Sequence, residues 1–274
     1  MLCKYTNDLI YIIFTLQMNI KKHIPNAITC CNLLCGCLAI VKAFEGNLVM
    51  AAYLVGLAAI FDFFGGFAAR MLKVSSPIGK DLDSLADMVT FGVVPGVILF
   101  HLINENVNML VNNYFDKTNS NTQVIDYHTQ PFYIHYLGFT AFIITIFSAI
   151  RLAKFNNDTR QTDSFIGVPT PAVAIFVCSL PLILNTNPNF YFINPYILAL
   201  TSVILSVLLV SELPLFALKF KHFKWKGNEI RFSFLLISVL LLVILQFVGI
   251  PLVIILYILM SLVSNTFFKP KSSV

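Results

Sequence analysis

The residues of this sequence best suited to chemistry lie between positions 62 and 87. Asp62, Gly66 and Arg70 follow one another at intervals of four, as do Gly79, Asp83 and Asp87. On an α-helix such residues share a face and sit about 6 Å apart along the axis. The spacing therefore predicts two helical segments, each with one polar stripe, joined by a turn at Ser75-Ser76-Pro77. Three carboxylates brought together at a membrane surface repel one another unless they are protonated or share a cation. Oxygen ligands with no His or Cys beside them suit Mg²⁺ or Mn²⁺. Such ions serve phosphate substrates, often as a pair about 3.5–4 Å apart. Gly66, Ala69 and Gly79 remove bulk where a phosphate or nucleotide would approach helix backbone, and Arg70 would supply a counter-charge. The competing arrangement is a helix-end network of ion pairs with Arg70, Lys73 and Lys80. That network accounts for any one aspartate, but less well for the whole spacing.

The elements that must hold these residues are membrane helices. Of the 274 residues, 58% are hydrophobic and 11% charged, and mean hydropathy is +0.82. A soluble domain carries about 25% charged residues, so the fold class expected is an all-α integral membrane protein. A carboxylate at the centre of a bilayer costs about 2.5–3.5 kcal/mol on insertion scales, which makes idle aspartates in such a sequence improbable. The net charge of +5 does not point to nucleic acid, because the basic residues lie between apolar runs. Cys30, Cys31, Cys35 and Cys37 read as small apolar filler in a helix, with no histidine completing a metal spacing.

Taken in order, the chain predicts about eight transmembrane helices, near 26–43, 48–72, 78–103, 131–150, 166–184, 195–213, 232–248 and 250–263. Residues 104–132 read as an exposed polar loop, and Arg151 to Asp163 as a polar connection. The run Leu9 to Leu16 is too short to span, and residues 1–17 lack the features of a signal peptide. Met18 reads as a more natural start, which leaves 1–17 as a doubtful extension. Residues 18–216 then form a six-helix catalytic core, and 217–274 a basic connection with two further spans. Most of the 18 basic residues fall in alternate loops, around 21–22, 70–80, 151–160, 219–231 and 269–271. The positive-inside rule then puts both termini and the aspartates on the cytoplasmic side.

The aspartate stretch resembles the signature of the CDP-alcohol phosphatidyltransferase family. That pattern is Asp-x-x-Asp-Gly-x-x-Ala-Arg, an eight-residue gap, then Gly-x-x-x-Asp-x-x-x-Asp. Asp62, Gly66, Ala69, Arg70, Gly79, Asp83 and Asp87 fall on it with the gap intact. Pro25-Asn26 with Thr29 and Asn32 is similar to the family's approach to its first helix. Lys80 to Asp87 with Phe91-Gly-Val-Val-Pro95, Arg151 to Asn156, and Gly167 to Ala172 resemble its bacterial phosphatidylserine synthase branch. The likeness runs from about residue 19 to 220. It implies attack by the hydroxyl of a small alcohol, here L-serine, on the β-phosphate of CDP-diacylglycerol, with release of CMP. It further implies Asp62, Asp83 and Asp87 as ligands of Mg²⁺ or Mn²⁺, as two ions, with Asp87 also the general base. Gly66, Ala69, Arg70 and Gly79 would line the CMP site. A homodimer in the inner (cytoplasmic) membrane is implied as well. The charge and placement of Arg151, Lys154 and Asn156 suggest contacts to lipid phosphate or the serine carboxylate.

One position departs from the pattern. Gly65 stands where the family has its second aspartate, a metal ligand, so the resemblance implies a weakened metal site and impaired turnover. Asp81, two residues from Asp83, points elsewhere on a helix and is a poor substitute. Two other functions compete. One is a sister transferase with glycerol phosphate or inositol phosphate as acceptor, which would need extra basic residues in the pocket. The other is an ion-coupled transporter or lipid-binding protein, which would more typically hold its charges at the bilayer midplane in repeated, broken helices.

Overall fold

In the computed structural model the described residues are 2–74, 76–117, 136–157, 165–188, 193–216 and 228–267. They are almost entirely helical. The helices are α1 (Leu2–Phe44), α2 (Leu48–Leu72), α3 (Pro77–Asp87) and α4 (Val94–Lys117), then α5 (Phe142–Asn157), α6 (Thr170–Thr186), α7 (Pro195–Val210), α8 (Glu229–Leu245) and α9 (Gly249–Phe267). A π-helical segment, Met88–Val93, joins α3 to α4, and 3₁₀ turns at Leu137–Ala141 and Gln246–Val248 lead into α5 and α9. This is the all-α membrane class expected.

Among the described residues, length and apolarity support membrane crossing for five stretches: His23–Phe44, Leu48–Leu72, Pro77–Leu110, Leu137–Asn157 and Glu229–Ser264. α6 and α7 are apolar but have only 17 and 16 residues, under the roughly 20 that a bilayer core requires. The stretch 229–264 contains two helices that pack on each other after a reversal at Gln246 (φ 49°) and Gly249. The expected count of eight is therefore not what length and composition alone return.

The stretch α3–α4 is the central element. Of its most apolar window 67% is buried, against 33% for α1, α2 and the α5 stretch and 11% for 229–264. Phe91, Ile98, Leu99, Leu102 and Ile103 are buried to within 1% and pack with Ile144 of α5, Ile183 of α6 and Leu198 and Leu209 of α7. Small residues bring helices close, as lipid-embedded packing favours. Ala39, Ala43, Ala51, Ala58 and Val55 are fully buried on α1 and α2, which pack along their length. Two short strands, Phe165–Ile166 and Pro214–Leu215, pair antiparallel beside the end of α7. Gly167 follows the first at φ +76°, where a Cβ would lie 2.6 Å from the Leu209 carbonyl oxygen, so the turn needs glycine. The Tyr257 hydroxyl of α9 donates to the Phe216 carbonyl at 2.8 Å, tying the C-terminal helices to this turn.

Several boundaries differ from the sequence reading. α1 begins at Leu2 rather than near Asn26 and continues through Pro25. The polar residues 104–117 are helical, because α4 extends past its apolar part, and 118–135 lie outside the described residues. Arg151–Asn156 form the last turns of α5 rather than a connection. The basic segment 219–226 also lies outside the described residues.

Candidate active site

Asp62 sits almost three turns before the end of α2, at Leu72. That helix stops at Lys73, which takes the left-handed conformation (φ 53°) and sends its N–H back to the Ala69 and Arg70 carbonyls. The chain then restarts immediately. Ser76 is the N-cap of α3, its hydroxyl oxygen accepting from the Gly79 N–H at 3.0 Å, and Pro77 opens the helix, where its missing N–H costs nothing. This tight return lays α3 back beside α1 and α2. Asp83 and Asp87 come to Asp62, and one carboxylate oxygen of each lies within 4.8 Å of the others.

No ion pair joins these carboxylates to Arg70, Lys73 or Lys80 among the described residues. The Lys80 ammonium instead donates to the Asn156 carbonyl at 2.8 Å. The competing network of helix-end ion pairs is thus not formed. Three carboxylates and no nitrogen or sulfur ligand make a donor set for a hard divalent cation. Asp62, Asp83 and Asp87 would each offer such a cation one carboxylate oxygen.

Polar groups of α1 support the cluster from behind. Asn32 is fully buried, and its Nδ2 donates to Asp87 Oδ1 at 3.1 Å. Thr29, 6% exposed, lines the same pocket as Asp83. The π-helical segment after Asp87 carries Thr90, whose hydroxyl donates to the Asn32 carbonyl at 3.3 Å. Gly36 is what lets it approach, because a Cβ there would collide with the Thr90 hydroxyl. π-Helical turns in α-helices recur at functional sites. Here the turn holds α4 against α1 just beyond the last aspartate.

Beside Asp83 opens a pocket lined by Pro25, Asn26, Thr29, Gly65, Gly66, Ala69, Val74, Ser76, Gly79 and Lys80. Gly66 and Ala69 line it as the sequence suggested. A Cβ at Gly66 would meet only the Arg70 Nη1, at 3.8 Å, so this glycine keeps the pocket open without a packing need. Gly79 is different: a Cβ there would stand 2.9 Å from both Asn26 Oδ1 and Ser76 Oγ. Arg70, expected beside them, is exposed and is not among the residues that line this pocket. Gly65 is buried, and a Cβ would point between the helices toward Thr29 Oγ1 (3.5 Å) and Ile28 (3.7 Å), in ordinary contact.

Arg151 is 8% exposed, with Nη1 donating to Thr170 Oγ1 at 3.3 Å and its guanidinium over the Phe155 ring at 5.3 Å. It interacts electrostatically with Asp87, and its buried Nε has no partner among the described residues. Asn156, still on α5, donates to Ser84 Oγ of α3 at 2.8 Å. Lys154 is exposed and makes no such bond among the described residues. The three residues, expected as one group, thus separate into a buried cation facing Asp87, a bridge to α3, and a surface charge.

Asn26, Thr29, Asn32, Ser76 and Lys80 join the site without having been singled out as site residues from sequence. A signal for the first three existed. Asn26, Thr29 and Asn32 recur every three residues in an otherwise apolar helix, which places a polar stripe on one face.

Comparison with known proteins bears on this site directly. The family description "CDP-alcohol phosphatidyltransferase" matches residues 22–211. The chain is similar to the CDP-diacylglycerol–serine O-phosphatidyltransferase of Bacillus subtilis, 32% identical over 76% of this chain and 94% of that protein. The Helicobacter pylori (strain ATCC 700392 / 26695) protein of the same name is 32% identical over 73% of this chain and 74% of its own length. The archaetidylserine synthase of Methanothermobacter thermautotrophicus is 26% identical over 72% of this chain and 73% of that protein.

Proposed function

The chain belongs to the CDP-alcohol phosphatidyltransferase family, and from that premise we propose that it transfers the phosphatidyl group of CDP-diacylglycerol to L-serine, giving phosphatidylserine and CMP. The observation that carries this reading is the convergence of Asp62, Asp83 and Asp87 beside a pocket walled by glycine and alanine. Relatives named for serine transfer supply the acceptor.

In the proposed reaction the nucleotide end of the lipid lies in the pocket against Gly66, Ala69 and Gly79, and Arg70, whose Nη1 would stand 3.8 Å from a Cβ at Gly66, supplies a counter-charge. The family uses divalent metals, and we assign Mg²⁺ or Mn²⁺ to the three aspartates, where the cation when bound supplies positive charge to the pyrophosphate oxygens. Asp87 accepts the proton of the serine hydroxyl. The serine oxygen bonds to the β-phosphorus, the bond from that phosphorus to the bridging oxygen breaks, and CMP departs with the electron pair. Asn32 holds Asp87 in place through its amide. Arg151, facing Asp87 from α5, is positioned to attract the serine carboxylate or the lipid phosphate. Lys154 and Asn156 are assigned supporting contacts at the same end of α5.

We place the protein in the inner (cytoplasmic) membrane as a homodimer, with eight crossings and the aspartates and both termini facing the cytoplasm. The bias of basic residues toward alternate loops supports that orientation. Residues 18–216 are proposed as the catalytic unit.

The test is CMP release by the full chain in lipid nanodiscs, with CDP-diacylglycerol and either Mg²⁺ or Mn²⁺. Release that depends on serine is expected. Release that depends instead on glycerol phosphate or inositol phosphate would replace this reading with the sister transferase.

A further inference from the structure

The number of cations the site can hold follows from position 65. Asp62, Asp83 and Asp87 offer one mutually close set of oxygens. One of the three carboxylates is already engaged by a protein donor, Asp87 by the buried Asn32 amide. Asn32 is fully buried, and its remaining oxygen has no hydrogen-bond partner among the described residues, so the cluster is backed by a polar group that no packing role consumes. One divalent ion would take an oxygen from all three aspartates. A second ion about 3.5–4 Å away needs ligands of its own on its far side.

The pocket side of the cluster is where such a ligand would stand, and Asp83 is the one carboxylate among the residues that line it. On the α2 side that lining is Gly65, Gly66 and Ala69. Gly65 is one turn along α2 from Asp62, and its absent Cβ points toward Thr29 Oγ1, on the pocket that Asp83 also lines. A carboxylate on residue 65 would therefore enter the site next to Asp83, and the room for its Cβ is present, since the nearest atom stands at 3.5 Å.

We propose that the substrate-free chain binds one divalent cation through Asp62, Asp83 and Asp87, and that Gly65 is the reason it lacks a second. This rests on the metal-dependent reading above, and departs from the pair of ions that the family resemblance implies. A second ion, when the reaction uses one, must then be held largely by the oxygens of the pyrophosphate substrate.

The experiment is a titration of the detergent-solubilised full chain with Mn²⁺ alone, counting free ion by electron paramagnetic resonance. Gly65→Asp and Gly65→Ala are titrated in parallel, each first checked for folding by thermal melting. One Mn²⁺ per chain is expected for the unaltered protein and for Gly65→Ala, and two for Gly65→Asp. Two ions bound by the unaltered chain would overturn the inference, as would a folded Gly65→Asp that still binds one. Absence of binding in all three would instead overturn the metal assignment of the three aspartates.

Discussion

Asn32 Nδ2 donates to Asp87 Oδ1 at 3.1 Å, joining the first helix to the last aspartate of the cluster across 55 positions of chain. With Asn32 fully buried, that bond has no water to replace it. Asn32→Ala leaves the Asp87 oxygen without its donor, at a cost of about 1–3 kcal/mol. The variant should melt at lower temperature in detergent and lose most serine-dependent CMP release. Full activity with an unchanged melting point would show that the bond does not position Asp87.

Asp87→Asn tests the base and one of the three cation ligands together. The amide keeps nearly the same shape but cannot take the serine proton, and general-base catalysis contributes about 10²–10⁴-fold. A fall of that order in turnover is expected in the nanodisc assay, with the melting point retained.

Gly66 and Gly79 separate pocket space from packing. Alanine at 66 has open room for its methyl group and favours the helix by up to about 1 kcal/mol, so stability should hold or rise while the KM for CDP-diacylglycerol increases. Alanine at 79 would press on Asn26 and the Ser76 cap, losing about 1 kcal/mol or more of helix-capping stability. Its melting point should fall together with substrate affinity. If the two variants behave alike, the pocket geometry is misassigned.

Arg151 lies buried against Thr170 and faces Asp87. Arg151→Lys keeps the charge but loses the planar fork, and it should raise the apparent KM for serine or for the lipid by more than tenfold. Lys154→Ala, at an exposed position, should change either constant much less. Kinetics of Arg151→Lys equal to those of the parent would remove this residue from the substrate site.

Chelation by EDTA should abolish CMP release, and Mg²⁺ or Mn²⁺ should restore it. Activity that persists after exhaustive chelation would remove the cation from the reaction. The donor set predicts that Zn²⁺ substitutes poorly, because no His or Cys ligand is offered.

Much of this site was legible without coordinates. Composition determined that the chain is a bundle of membrane helices, because apolar runs of that length have no other stable place. The four-residue spacing of Asp62, Gly66 and Arg70, and of Gly79, Asp83 and Asp87, determined two polar helix faces, since helical periodicity is a local property. The Ser76-Pro77 restart was legible for the same reason.

What the sequence could not decide were matters of approach between distant segments. Asn32 and Thr29 join the aspartates only because α1 packs along α2 and α3. The π-helical segment at Met88–Val93 is a tertiary outcome, held by Thr90 against the bare backbone of Gly36. Arg151 read as part of a polar connection and is instead buried in a helix, because Thr170, Phe155 and Asp87 offset the cost of burying its charge. Asp62, Asp83 and Asp87 were an acidic pattern in the sequence. Their mutual distance, and the side of the cluster that Gly65 leaves bare, depend on the angle at which three helices meet, and no local spacing encodes that angle.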